Sequence, residues 1–234
     1  MSRRRIPPQP LPLEPFFRRL PGSHGFLQAI AEEPDEDLHR LVLADWLDEQ
    51  GHSLRAEFIR LSLQLARMAE DDPRTPALQA RWSEFFTLGE DHLQWWDLRT
   101  ELVPGVELLY DRGMLERAEV TAARFPRVAA ALFSQIDCRQ LVLLELDHHL
   151  AWLARPELGY LQSLALTSES LSLVAARRLA QCRALANLHT LRLWISEIDD
   201  RALEDLRRSP YLHECEIRLW DSEADSEVLL EALE

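Results

Sequence analysis

Glycine, cysteine and positive charge are all in short supply in this chain. With 7 Gly and 13 Pro in 234 residues, it is neither collagen-like nor low-complexity. Its three cysteines, Cys138, Cys182 and Cys215, are far apart, odd in number and form no CxxC pair. Zinc and thioredoxin-like chemistry gain no support from them, and a reducing, cytoplasmic compartment is expected, with the thiols serving as small buried hydrophobes. Lys and Arg total 26 against 40 Asp and Glu, a net charge of -14. Such a surface repels phosphate backbones and anionic lipid heads, so neither nucleic acid nor membrane is an expected partner. Arg3, Arg4 and Arg5 read as a solvated tail. No run reaches the roughly 18 apolar residues of a membrane helix. The N-terminus continues into prolines rather than the apolar core of a secretory signal. Phosphate-binding, dinucleotide-binding, nucleophile-elbow and kinase signatures are missing, and no cofactor is expected.

What the sequence does hold is 47% hydrophobic residues, enough for a sizeable core. Residues 1–22 form a proline-rich arm in which six prolines oppose regular structure, and Leu11, Leu13, Phe16 and Phe17 are its candidate anchors. Residues 23–100 read as a helical cap. Phe26, Leu27 and Ile30 share one stripe. Pro34–Asp35 opens the next helix, in which Leu38, Leu41, Val42, Asp45 and Trp46 recur at helical spacing, with Trp46 expected to be a largely buried anchor. Gly51 suits a helix C-cap and Ser53 the N-cap that follows. Phe58, Leu61, Leu65 and Met68, then Leu78, Trp82 and Phe85 or Phe86, complete the inner faces.

After Gly113 the pattern changes. Short alternating segments, LERAEV, CRQLVL, LQSLAL, LHTLRL and LHECEI, begin at residues 115, 138, 161, 188 and 212, each followed by a helix-like stretch. The steps of 23, 23, 27 and 24 residues and the form L-x-x-L-x-L match a leucine-rich repeat. The expected fold class is therefore α/β: a helical cap followed, over residues 101–222, by a short leucine-rich-repeat solenoid of about five strand–helix units. Residues 223–234 close it as an acidic cap or tail, with Ser226 opening a short helix. Strand alternation sends the fourth and sixth positions inward, Cys215 and Ile217 in the last copy. The third, fifth and seventh positions face out, which makes Arg117, Glu119, Val142, Leu144, Arg192, Trp194, Glu214, Glu216 and Arg218 the candidate partner-binding residues.

The segment FLQAIAEEPDEDLHRLVLADWLDEQGHSLRAEFIRL resembles the repeat-companion domain of planctomycetes and some myxobacteria, whose form is FLxAI…PxDDxxRLVxADWLxExG…RAEFIRLQ. Phe26, Ile30, Pro34, Asp37, Arg40, Asp45, Trp46, Gly51, Arg55, Glu57, Phe58 and Arg60 are among the matching residues, over residues 26–61. Glu36 replaces the first Asp of the usual pair, and Ser62 stands where Gln is frequent. Members of that family are often followed by leucine-rich repeats, and the resemblance implies no catalytic role.

Two functions compete. A repeat array without a catalytic signature points to a non-enzymatic scaffold or regulatory module that binds another protein. The alternative is a hydrolase or metal-dependent enzyme in the acidic cap. It would use Asp35, Asp37, Asp45, Asp48, Glu49 or Glu57 in a cleft with raised pKa values. Helix caps and buried or half-buried Asp–Arg pairs tying helix to helix would account for the same residues structurally. Asp147, His148 and His149 offer a conceivable surface metal site, without the spacing of a helical metal motif.

Overall fold

The computed structural model describes residues 15–69, 71–85, 103–146, 150–221 and 226–230. Its first part is helical. The turn α1 (Pro15–Arg18) and a 3-10 turn at Pro21–Ser23 lead into α2 (His24–Glu32), α3 (Asp37–Glu49), α4 (Ser53–Arg67) and α5 (Thr75–Glu84). The described end of the proline arm is thus helical, with Phe17 buried and Phe16 half-buried. Leu11, Leu13 and Phe86 lie outside the described residues.

Local chemistry sets the helix ends. The cap of α3 is Glu36 rather than Pro34–Asp35, and its carboxylate accepts the Leu38 backbone N–H at 3.0 Å. At the other end Gly51, at φ +82°, donates to the Asp48 carbonyl, while His52 donates to that of Leu47 at 2.8 Å. This paired closure needs the left-handed backbone that glycine adopts without penalty. Ser53 is the first residue of α4 rather than its cap, and its side chain hydrogen-bonds Asp48.

The orientation of α3 differs from the sequence expectation. Arg40, Leu43, Ala44 and Leu47 are buried, whereas Leu38 is 58% and Val42 43% exposed. Trp46 is half-buried, its ring centroid 5.4 Å from that of Phe26. The cause is Arg40, which hydrophobic periodicity assigns to water. Its guanidinium reaches inward to Glu116, at 3.0 and 3.2 Å from the two carboxylate oxygens, and to the Pro34 carbonyl at 2.7 Å.

The second part is a seven-stranded open sheet, with strands in sequence order: β1 (Glu107–Asp111), β2 (Met114–Thr121), β3 (Gln140–Leu144), β4 (Ser163–Leu171), β5 (Thr190–Ile198), β6 (Glu216–Asp221) and β7 (Ser226–Leu229). Arg112 and Gly113, both at positive φ, turn β1 antiparallel onto β2. Two such residues give a turn whose twist matches that of the strands. β2 to β6 are parallel, and β7 returns antiparallel on β6.

Parallel neighbours need crossovers. These contain α6 (Phe125–Gln135), two 3-10 turns (Leu150–Ala154 and Pro156–Tyr160), α7 (Leu173–Ala180) with a 3-10 turn at Arg183–Asn187, and α8 (Asp200–Arg207). Ser172 caps α7 and Asp199 caps α8 through side-chain oxygens. Right-handed crossovers that always step the same way put their helices on one face of the sheet. Leu141, Leu143, Leu164, Leu166, Leu191 and Leu193 point to that face and share one core with Phe125, Leu132, Trp152, Leu179 and Leu206. Burying each such leucine is worth about 1.5–3 kcal/mol relative to exposure.

Ser226–Leu229 is a strand, not the expected helix. A strand there pairs the backbone of β6, whose edge would otherwise end the sheet, and Leu230 packs back on the core.

The two parts share a buried junction. Met114 of β2 packs among Ile30, Leu43, Leu47 and Ile59 of the helices. A Cβ on Gly113 would come within 2.7 Å of the Ile59 Cα, so only glycine allows this approach. Arg139 donates to the Ala31 carbonyl at 3.1 Å, and Arg55 lies among the rings of Phe16, Phe17, Phe58 and Tyr110.

Candidate interaction surface

The face of the sheet away from α6, α7 and α8 carries most of the residues singled out in the sequence. Register sets Arg117, Gln140, Ser163, Thr190 and Glu216 side by side in one row. The next outward row is Glu119, Val142, Ala165, Arg192 and Arg218. Beyond it Thr121 pairs with Leu144, and Thr167 with Trp194.

Two expectations need correction. The last copy is slipped by two residues: Leu191 pairs with Ile217 and Leu193 with Leu219. Ile217 and Leu219, not Cys215 and Ile217, therefore take the inward positions. Glu214 falls before the strand and so is not part of the sheet face, though it is exposed, and Cys215 is half-buried in the turn ahead of β6. Because the slip is even, Glu216 and Arg218 stay on the outward face. It also brings Trp220, 41% exposed, into the seventh position. Trp220 stands out in the sequence beside Trp194, but it was not placed on this face because the repeat was anchored on Leu212, whereas the pattern I-x-L at residues 217–219 was the better anchor. Second, Val142 is only 4% exposed. It and Ala165 are short side chains flanked in their row by Glu119 and Arg192, which leaves Val142 little to offer a partner.

The remaining face is a polar lattice with an aromatic end. Arg117 is paired with Glu119, Gln140 donates to Asp111, and Arg192 donates to the Ser163 hydroxyl at 2.8 Å. Arg218 donates to Glu216 at 2.8 Å. Trp194 and Leu144 are half-buried, and Leu229, opposite Arg218 on β7, is 55% exposed. The strand order thus collects Trp194, Trp220 and Leu229 at the β5–β7 end, beside two arginines.

The acidic helices are organised differently. Arg60 bridges Asp45 and Asp48, both at 2.6 Å; Asp37 meets Arg67 and Arg112; Glu57 meets Arg81 at 2.8 Å. Asp35 lies 3.6 Å from Arg112. Hydrogen bonds from Arg60, then Ser53, hold the Asp48 carboxyl below its ordinary range. All 26 cationic side chains of the chain are arginine, whose planar fork suits such pairs. A groove of about 590 Å³ runs between α4, α5 and the β1–β2 hairpin, lined by Leu65, Met68, Trp82, Tyr110 and Arg112 among others. Asp35, Asp45, Asp48 and Glu57 do not line it.

Burial pushes the Glu116 carboxyl up to about 7, against the opposing pull of Arg40 and Arg139. This group is sealed in the junction, 4% exposed, and does not line the groove. The thiols are raised by burial, Cys215 to about 12, so they are poor nucleophiles at neutral pH. Among the described residues no three His, Cys, Asp or Glu side chains converge as metal ligands, and no helix is long and apolar enough to cross a membrane. Asp147, His148 and His149 lie outside the described residues. Comparison with protein-family models, with curated proteins and with solved structures gives no match.

Proposed function

We propose that the chain is a non-enzymatic interaction scaffold. In this reading the five parallel strands and their crossovers are a short leucine-rich-repeat solenoid, and residues 26–61 are a repeat-companion unit that caps its first strand. Another protein binds the open face of the sheet, toward the β5–β7 end. The observation that carries the reading is the gathering of Trp194, Trp220 and Leu229 beside Arg192 and Arg218 on the face away from α6, α7 and α8. Trp and Arg dominate interface hot spots because they join a large apolar area to directional donors. The ion pairing of the cap carboxylates supports the same reading, since acid–base chemistry needs carboxylates poised in a cleft. Three unpaired thiols fit a reducing, cytoplasmic setting.

The test is quantitative affinity purification from the source cell, with the wild-type chain and a Trp194→Ala variant in parallel. Proteins held by the wild type are expected to be depleted about tenfold or more with the variant, while its melting curve stays within a few degrees. Equal recovery of every protein would remove this face from the account.

A further inference from the structure

We infer that the outward face of α3 is a second docking surface, and that its occupant is a basic amphipathic segment of another protein. The inference is independent of the sheet face. Leu38, Val42 and Trp46 recur every four residues, so they form one ridge along the helix. Leu38 and Val42 are 58% and 43% exposed, and Leu41, Trp46 and Phe26 beside them are half-buried. Scattered exposed apolar residues need no explanation, but a continuous ridge on one helix does. This helix already has a complete inner face in Arg40, Leu43, Ala44 and Leu47. Leu41, Trp46 and Phe26 also pack against the core of the cap, so Leu38 and Val42 are the part of the ridge that is surplus to folding.

Charge identifies the occupant. Between residues 32 and 49 stand Glu32, Glu33, Asp35, Glu36, Asp37, Asp45, Asp48 and Glu49, against one arginine, the buried Arg40. The Asp35 and Asp45 side chains are 85% and 71% exposed at the two ends of the ridge, and Glu49 is exposed one turn beyond Asp45. Arg60, Arg67 and Arg112 answer part of this charge from α4 and the hairpin, and His39 lies 2.7 Å from Glu33. An apolar ridge between carboxylates fits a helix that presents Leu, Ile or Phe at three- and four-residue spacing with Lys or Arg on either side. Opposite charges steer such a segment and set its direction, while the apolar contact supplies most of the affinity.

The experiment selects phage-displayed random dodecapeptides on the full chain, with counter-selection on a Leu38→Glu, Val42→Glu double variant. Both positions face water, so the variant is expected to melt like the wild type. The inference predicts enriched peptides that combine Lys or Arg with apolar residues three or four apart. The synthetic form of such a peptide should bind about tenfold or more weakly to Leu38→Ala, Val42→Ala, and should weaken as salt rises from about 0.05 M to about 0.5 M. A Trp194→Ala chain should bind it unchanged. Failure to enrich any peptide, enrichment without basic residues, or binding indifferent to residues 38 and 42 overturns the inference. A gain in affinity on removing residues 2–14 would assign the ridge to Arg3–Arg5 of the same chain instead. Dimerisation that is abolished by the double glutamate variant would assign it to a second copy. Both outcomes overturn an external partner.

Discussion

The buried pair Arg40–Glu116 shows what one residue decides. It joins α3 to β2 across 76 positions of sequence, with both side chains almost out of water. Removing one member leaves the other buried without its hydrogen-bonding partner. Arg40→Ala is therefore expected to cost about 3–5 kcal/mol in denaturant unfolding, whereas replacing both members with apolar residues of similar size should recover much of that loss. The same site gives a pH dependence. Desolvation raises the folded-state pKa of Glu116 to about 7, above the ordinary carboxyl value. The folded chain thus holds this proton more tightly than the unfolded chain. Its stabilising effect is complete below the unfolded pKa, declines as pH rises through the range up to about 7, and is absent above it. Melting curves at about pH 5 and about pH 8 should show a larger loss for the wild type than for Glu116→Gln, which cannot titrate. Equal losses would mean that Glu116 is not the group responsible. The sequence suggested buried or half-buried Asp–Arg pairs between helices, but not this partner: Glu116 lies on a strand 76 residues away, and nothing local to RLVLADWL points to it.

At the scale of elements, the sequence reveals period better than it reveals face or register. The alternation at residues 138–143, 161–166 and 188–193 located β3, β4 and β5, and their inward leucines are the ones buried. These segments were legible because two-residue alternation in a half-covered sheet has one solution. The segment at 212–217 was misplaced by two residues, because Leu212 looks like the first position of the motif but packs in the turn before β6. β1 escaped notice because its partner is antiparallel and outside the repeat. The stripe on α3 was read on the wrong side because Leu38 and Val42 weigh more on any hydrophobic scale than Arg40. Residues 226–229 were expected to open a short helix, yet they pair with β6, where edge hydrogen bonds outweigh a helix of about two turns. Deleting residues 226–234 should consequently lower the melting temperature by several degrees and expose the edge of β6 to association, visible in light scattering. An unchanged melting curve would show that β7 contributes nothing to stability.

For the molecule as a whole, the helical part and the sheet depend on each other. Met114, Gly113 and Glu116 of the hairpin end are covered by α2, α3 and α4, so a chain beginning at residue 103 would present apolar surface and a buried carboxylate to water. Such a fragment is expected to aggregate, and a soluble, cooperatively melting one would refute the capping role. The sheet in turn uses one face for its core, and the other carries the binding surface of the proposed scaffold. The most direct measurement is the dissociation constant of a purified partner for three chains: wild type, Trp194→Ala, and Val174→Ala. Val174 is 66% exposed on α7, on the opposite side of the sheet, and controls for general loss of apolar surface. The account predicts that Trp194→Ala weakens binding by about 2 kcal/mol or more, roughly thirtyfold, while Val174→Ala binds like the wild type. Equal affinity of all three chains, each folded, would contradict it.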